Sequence, residues 1–168
     1  MKLRIGQGWD LHRFCEGNSL RLGGVEIPFE RSLLGHSDAD ALCHALIDAL
    51  LGASHLGDIG RLFPDTDPAY ENINSMLLLQ SVLGLLQERG WQPVNVDCTI
   101  ITQQPKLAPH IPLIEESLAK AMGLPADCVS VKAKTAEGLG PVGRQECLEA
   151  MAVVLLQQRN DFFFWAER

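Results

Sequence analysis

Apolar residues along this chain recur with two periods, and the switches between them mark out its elements. Leu3 and Ile5 lead into a Gly6-x-Gly8 stretch that runs on to His12 and predict a first strand, while Leu20 to Ile27, bounded by Asn18 and Pro28, predicts a second. From Ala39 to Ala53 the period lengthens. Leu42, Ala45, Leu46, Ala49 and Leu50 fall on one helical face, and Ser37-Asp38 ahead of them offers capping side chains. Ile73 to Arg89 repeats the helical pattern and closes at Gly90, a residue suited to the left-handed end of a helix. Val94 to Thr102 then alternates and is rich in β-branched residues, Pro109 to Met122 reads as a helix closed by Gly123, and Cys128 to Thr135 returns to strand. Ala150 to Gln157 is a continuous apolar run that fits either a buried strand or a helix end, and strand is the reading adopted. The sum is an α/β or α+β fold, a single sheet with helices packed on one face.

Composition narrows the partners. No repeat and no Ser/Gly-rich linker divides the 168 residues, 46% of which are hydrophobic, so residues 1–168 are expected to form one domain. The formal charge of -7 repels a phosphate backbone, which argues against nucleic acid and requires any bound phosphate to be held locally. The apolar stretch Met76 to Leu86 is interrupted by Gln80, Ser81 and Gly84 and falls short of the roughly 20 residues of a membrane span. No apolar signal core follows Met1, so the cytoplasm is the expected location. The 5 cysteines show no C-x-x-C pair and are expected to be reduced and mostly buried, with Cys43 a packing residue and not a fourth ligand beside His44.

Three side chains suggest a metal centre. Asp10 and His12 are two apart on the first strand and therefore share a face of the sheet, and His44 lies on the helix that follows, with Asp48 one turn later as a supporting or substrate-facing carboxylate. Taken singly, Asp10 and His12 also fit a hydrogen-bonding pair near a turn, and His44 a core histidine. Together they make a two-histidine, one-carboxylate set with an open position, which suits a catalytic divalent ion such as zinc. A dinucleotide fingerprint at Gly6-Gln7-Gly8 fails because Leu11 occupies the third glycine position, and a calcium loop at Asp65-Thr66-Asp67 fails because Tyr70 stands where glycine is required. Lys134-Thr135-Ala136-Glu137-Gly138-Leu139-Gly140 ends a strand with a cation, a hydroxyl, a carboxylate and flexible glycines, the parts for holding a phosphate together with a hard ion.

Four segments in order resemble one family: Gly6-x-Gly8-x-Asp10-x-His12-x-Phe14, His36-Ser37-Asp38-Ala39-Asp40-x3-His44-Ala45-x2-Asp48-Ala49, Asp58-Ile59-Gly60-x2-Phe63-Pro64-Asp65-Thr66-Asp67, and Thr135-x-Glu137-x-Leu139-Gly140-x2-Gly143-Arg144. The family is 2-C-methyl-D-erythritol 2,4-cyclodiphosphate synthase of the non-mevalonate isoprenoid pathway, and the likeness runs from Ile5 to about Leu156.

The resemblance implies a homotrimer with active sites at its subunit interfaces and an intramolecular phosphoryl transfer that closes a cyclic diphosphate and releases CMP. It assigns Asp10, His12 and His44 to zinc or another divalent transition metal, and Glu137 to magnesium or manganese on the substrate diphosphate. His36 and Thr135 take the catalytic positions. Ser37, Asp58, Ile59, Gly60, Phe63, Pro64, Asp65, Thr66 and Asp67 fall in the methylerythritol phosphate pocket, and Thr102, Gln103, Gln104, Pro105, Lys106, Leu107 and Ala108 in the cytidine pocket of a neighbouring subunit. Lys134, Ala136 and Gly138 depart from the family's Thr-Thr-Thr-Glu-Lys run and adjoin the α-phosphate contacts. Pro141 replaces a common phenylalanine beside Arg144, in a segment that in relatives lines a central cavity able to hold an isoprenoid diphosphate. The Phe162-Phe163-Phe164-Trp165 cluster lies beyond the resemblance and is expected to pack on a neighbouring subunit or bind a partner.

Overall fold

Strand β1 runs from Leu3 to Glu16, beyond the predicted end at His12, in a computed structural model that describes residues 2–159. Gly6 and Gly8 lie where the first helix, α1 (Ala41–Ser54), crosses the strand. A Cβ on Gly6 would sit 1.9 Å from the Ala49 carbonyl oxygen, and one on Gly8 1.9 Å from that of Ala45. The two glycines therefore let helix backbone rest directly on strand backbone, which accounts for a Gly-x-Gly that fits no nucleotide motif.

The predicted strand over Leu20 to Ile27 is instead a hairpin, β2 (Ser19–Leu22) and β3 (Val25–Pro28), turning at Gly23 and Gly24 with φ of 59° and 76°. Two successive left-handed residues are what a tight hairpin turn requires, and only the Gly-Gly pair signalled it. After β4 (Arg31–Leu33) come α1, a single turn α2 (Ile59–Leu62) and α3 (Ser75–Glu88). Strand β5 (Trp91–Ile101), helix α4 (Ile111–Met122), strand β6 (Val129–Lys134), a single turn α5 (Gly140–Gly143) and strand β7 (Cys147–Gln158) complete the described chain. Strand β5 starts three residues ahead of the predicted Val94. Pro93, which cannot donate to a ladder, is accommodated by a register shift, with Pro93 opposite Leu156 and Asn95 opposite Leu155.

The main sheet has the order β4-β1-β7-β5-β6, antiparallel except for β5 and β6, and the β2-β3 ribbon stands beside it as a second, two-stranded sheet. Helices α1, α3 and α4 cover one face, burying Leu46, Leu79, Ile100, Ile114 and Leu156 between them and the sheet. The other face is apolar yet open: Ile5 is 74% exposed and Trp9 51%, with Met151 and Val153 on the adjacent strand also exposed. Register places His12 opposite Leu148, and Ile101 opposite Glu149, so the ends of β1 and β5 flank the start of β7 at one end of the sheet. Among the described residues no helix is long and apolar enough to cross a membrane. The Phe162 to Trp165 cluster lies outside the described residues.

Candidate metal centre and flanking pockets

Strand alternation turns Asp10 and His12 toward the helical layer, and α1 brings His44 over them. His12 Nε2 lies 2.9 Å and His44 Nδ1 3.0 Å from the same oxygen, Asp10 Oδ2, and the two ring nitrogens are 3.1 Å apart. The outer ring positions fix which nitrogens these are. His12 Nδ1 donates to the Leu34 carbonyl at 2.7 Å, since that oxygen can only accept. Ser75, fully buried, gives its single hydroxyl proton to Asp38 and so accepts from His44 Nε2 at 2.9 Å.

In neutral histidines both inner nitrogens then present lone pairs to each other and to a carboxylate, an arrangement that calls for a cation at their centre. Ligands around a tetrahedral zinc, at about 2.0–2.1 Å from the ion, stand roughly 3.3 Å from one another, close to the spacing seen here. Asp10, His12 and His44 therefore fit a divalent metal ion, and among the described residues they form the one group of three such side chains that does. Burial pushes the Asp10 carboxyl up, but hydrogen bonds and charge from His12 and His44 outweigh it and hold Asp10 well below the usual carboxylate range. Burial likewise opposes protonation of His12, yet Asp10 beside it raises that imidazole above its ordinary value. Cys43 is a packing residue as expected: it is buried, its thiol is pushed well up by desolvation, and its Sγ contacts Met76 Sδ at 3.3 Å.

The chain segment before α1 is built to hold this centre. Ala39 takes a left-handed φ of 56°, so the helix starts at Ala41 and Asp40 caps it, two residues beyond the expected Ser37-Asp38. Buried Asp40 accepts from the backbone N–H groups of Gly23, Gly24 and Cys43, tying the hairpin turn to the helix that carries His44. Desolvation raises the Asp40 carboxyl despite these donors. Asp38 faces Arg21 of the hairpin at 3.7 Å, and Ser37 Oγ lies 3.0 Å from His44 Nε2.

The metal centre lines a cleft of about 370 Å³ together with His36, Ser37, Ile59, Gly60, Phe63 and Asp65, all named from sequence, and Tyr70 and Leu78, which were not. Tyr70 meets Phe63 edge-on at 5.3 Å between ring centres and walls the cleft. His36 bonds the Asp67 carbonyl at 3.3 Å. Asp58 and Asp67 act as caps, accepting from Arg61 N and Ala69 N, and Pro64 and Thr66 lie on the same loop. Asp48 holds this loop by accepting from Ile59 N at 2.8 Å; it is a support for the pocket.

A second pocket, of about 190 Å³, gathers Thr102, Gln103, Pro105, Lys106, Leu107 and Ala108 with Lys134 and Thr135. Gln104 is exposed beside it, its carbonyl accepting from Thr102 Oγ1. Glu137, with φ of 51°, is exposed and accepts from Thr135 Oγ1 at 2.7 Å, and Gly138 N donates to Gln103 Oε1 at 3.3 Å, which joins the two loops. Ala136 is half-buried in the same turn. The loop closes on itself because Gly143 has no side chain: a Cβ there would lie 2.2 Å from the Gly138 carbonyl carbon. The two pockets share no lining residue, and Glu137 is not among the metal-centre group. Pro141 opens α5, and Arg144, paired with Glu146 at 2.7 Å, lines a separate hollow with Arg13 and Arg31.

A mixed sheet backed by helices, with a three-donor centre at one end and a separate loop pocket, defines a candidate divalent-metal site. This chain belongs to the YgbB family, whose profile matches residues 3–157. It is 57% identical over 158 residues to the 2-C-methyl-D-erythritol 2,4-cyclodiphosphate synthase of Dechloromonas aromatica, covering 94% of this chain and 99% of that protein. A solved structure of a 2C-methyl-D-erythritol-2,4-cyclodiphosphate synthase with CDP bound is 44% identical and superposes with a TM-score of 0.85, over 92% of this chain and all of that one. The bifunctional IspDF of Campylobacter jejuni matches at 39% identity and a TM-score of 0.91 over 95% of this chain, which spans 43% of that larger protein.

Proposed function

We propose that this chain is a 2-C-methyl-D-erythritol 2,4-cyclodiphosphate synthase of isoprenoid precursor biosynthesis, a cyclising phosphorus-oxygen lyase built as one domain. Its substrate would be 4-diphosphocytidyl-2-C-methyl-D-erythritol 2-phosphate. An oxygen of the 2-phosphate attacks the β-phosphorus, the bond from that phosphorus to the bridging oxygen breaks, and CMP leaves; no water is consumed. The observation that carries the reading is the convergence of Asp10, His12 and His44 on one point at the cleft, in a chain 57% identical to a named synthase along nearly its whole length.

For this ring to close, a flexible substrate must fold until two repelling phosphates meet. Zinc or another divalent transition ion at Asp10, His12 and His44, and magnesium or manganese held with the diphosphate by Glu137, would supply Lewis acidity and charge neutralisation. Glu137 suits the second ion because it is an exposed oxygen donor whose other contact is a single hydroxyl. His36 lines the cleft and Thr135 the second pocket, and each would exchange its present partner, the Asp67 carbonyl and the Glu137 carboxylate, for a phosphate oxygen when substrate binds. Ser37, Ile59, Gly60, Phe63 and Asp65 form the cleft that would take the methylerythritol phosphate, with Asp58, Pro64, Thr66 and Asp67 shaping its loop. Residues 102–108 with Lys134 would take the cytidine.

Two features support a homotrimer with shared sites. The helix-free face of the sheet leaves Ile5 and Trp9 more than half exposed, a patch that a second copy would cover. The two pockets are also separate, so each chain offers two half-sites. Arg144, with Arg13 and Arg31, would give a trimer cavity a basic edge for an isoprenoid diphosphate. The cytoplasm is the proposed location, supported by five unpaired cysteines among the described residues. The test is CMP release by the metal-loaded enzyme and by Asp10→Asn, His44→Ala and Glu137→Gln. Each substitution is expected to lower the rate strongly, and near-normal turnover in all three would overturn the proposal.

A further inference from the structure

We propose that Asp38 is a positioning residue of the metal centre: acting through the Ser75 hydroxyl, it holds His44 as a metal ligand. The inference rests on the reading of Asp10, His12 and His44 as metal ligands. The sequence assigns Asp38 to the cap of α1, but Asp40 caps that helix by accepting from Cys43 N, which leaves the Asp38 carboxylate to another role. Within its own segment Asp38 Oδ1 meets the Asp40 N–H, at 3.4 Å.

Two backbone bonds bring Asp38 to Ser75, 37 residues along the chain. The Asp38 N–H donates to the Ile73 carbonyl at 3.0 Å and the Asn72 N–H to the His36 carbonyl at 2.8 Å, so the segment ahead of α1 lies against the segment ahead of α3. Ser75 is the first residue of α3 and fully buried. Its hydroxyl donates to Asp38 Oδ1, and the lone pairs of Ser75 Oγ are then left for His44 Nε2 at 2.9 Å.

The direction of that one proton decides what His44 can do. A Ser75 hydroxyl with no acceptor on its far side can turn and donate to His44 Nε2. A neutral imidazole that accepts there carries its own proton on Nδ1, the nitrogen that faces Asp10 and His12. Metal binding at Nδ1 would then have to reverse both protons. Asp38 removes this alternative, because an ionised carboxylate only accepts. Ser37 Oγ lies 3.3 Å from Ser75 Oγ and is a weaker acceptor than the charged carboxylate.

The rest of the Asp38 environment adds an independent observation. Its second oxygen, Oδ2, is the one buried side-chain oxygen or nitrogen without a hydrogen bond among the described residues, and the facing Arg21 guanidinium stands 3.7 Å away. Asp38 also sets a like charge beside the buried Asp40. Such a placement costs stability, so packing alone does not account for it.

Zinc affinity, and NMR of the histidine ring N–H protons in the zinc-loaded full chain, test the proposal. Four chains are compared: the wild type, Asp38→Ala, Ser75→Ala and the double variant. Asp38→Ala is expected to weaken zinc binding about tenfold and to speed exchange of the His44 Nε2–H proton. The His12 Nδ1–H proton, held by the Leu34 carbonyl, should exchange as in the wild type. In the Ser75→Ala background the same substitution should change affinity by less than about twofold, because its route to His44 is already cut. Wild-type affinity in Asp38→Ala would overturn the proposal. Losses that multiply in the double variant would also overturn it, by showing that Asp38 acts along another path. A His44 ring proton that exchanges in the wild type as fast as in free imidazole would do the same, a result that needs no folded variant. A wild type that binds no zinc would overturn the metal reading itself, and the proposal with it.

Discussion

Ser75 Oγ lies 2.9 Å from His44 Nε2 and passes its own proton to Asp38, so one buried hydroxyl dictates that His44 faces the metal centre through Nδ1. Replacing it with alanine removes this acceptor and leaves Ser37 Oγ, 3.0 Å from the same nitrogen, as the remaining partner of the ring. Ser75→Ala is expected to weaken zinc binding about 10- to 100-fold, the usual effect of losing a group that orients a ligand. A chelator competition titration reads this directly, and Ser75→Thr, which keeps the hydroxyl, should recover much of the affinity. Unchanged affinity in the alanine variant would show that Ser37 alone orients the ring.

Protons and metal compete for the same position. His12 titrates above its ordinary value of about 6.5 because Asp10 stabilises its charged form. Metal affinity should therefore already decline as pH falls through neutrality, at a higher pH than an isolated histidine would give. In the metal-free protein the signs are opposite for the two partners. The depressed Asp10 contributes stability that is present above about pH 4 and lost as pH falls through its folded value. The raised His12 contributes stability that is present below about pH 6.5 and lost as pH rises through its folded value. Thermal melts of the metal-free protein should show this window, and His12→Gln should flatten it.

Much of this site was legible in the sequence because its ligands sit on regular elements. A two-residue spacing on β1 puts Asp10 and His12 on one face, and the helical period from Leu42 to Leu50 puts His44 on a helix that follows. What escaped were contacts between segments distant in sequence. Ser75 reads as an ordinary helix-start serine, and the Leu34 carbonyl carries no side-chain signal, yet each sets one histidine tautomer. The single turn α2 is too short for periodicity to reveal. The hairpin at Gly23 and Gly24 was hidden because Leu20, Leu22 and Ile27 are all buried and read as one apolar run.

Gly8 tests how closely packing and chemistry are linked. A methyl group there would sit 1.9 Å from the Ala45 carbonyl oxygen, next to His44. Gly8→Ala must push α1 away from the sheet, and about 3 kcal/mol or more of stability should be lost. Denaturant unfolding gives the stability change. Zinc affinity of the folded fraction should fall as well, since His44 moves away from Asp10 and His12.

Gly143 separates the two half-sites. Its Cβ would lie 2.2 Å from the Gly138 carbonyl carbon, so Gly143→Ala must displace the loop carrying Glu137. Turnover is expected to collapse while zinc affinity at Asp10, His12 and His44 stays at the wild-type value. A parallel loss of zinc binding would mean that the two pockets are not independent.

Sharing of sites between subunits predicts complementation. His44→Ala and Glu137→Gln disable different pockets, so mixed oligomers formed by co-expression should regain turnover, about a quarter of wild type for random assembly of a cyclic trimer. No recovery would place both half-sites within one chain.

The central claim concerns bond making within one substrate molecule, and phosphorus NMR reads it most directly. Metal-loaded protein is mixed with 4-diphosphocytidyl-2-C-methyl-D-erythritol 2-phosphate, with and without chelator. Equal amounts of CMP and a cyclic diphosphate, lost on chelation and restored by zinc plus magnesium, are the predicted result. An open diphosphate, or no cyclic product with any metal, would contradict it.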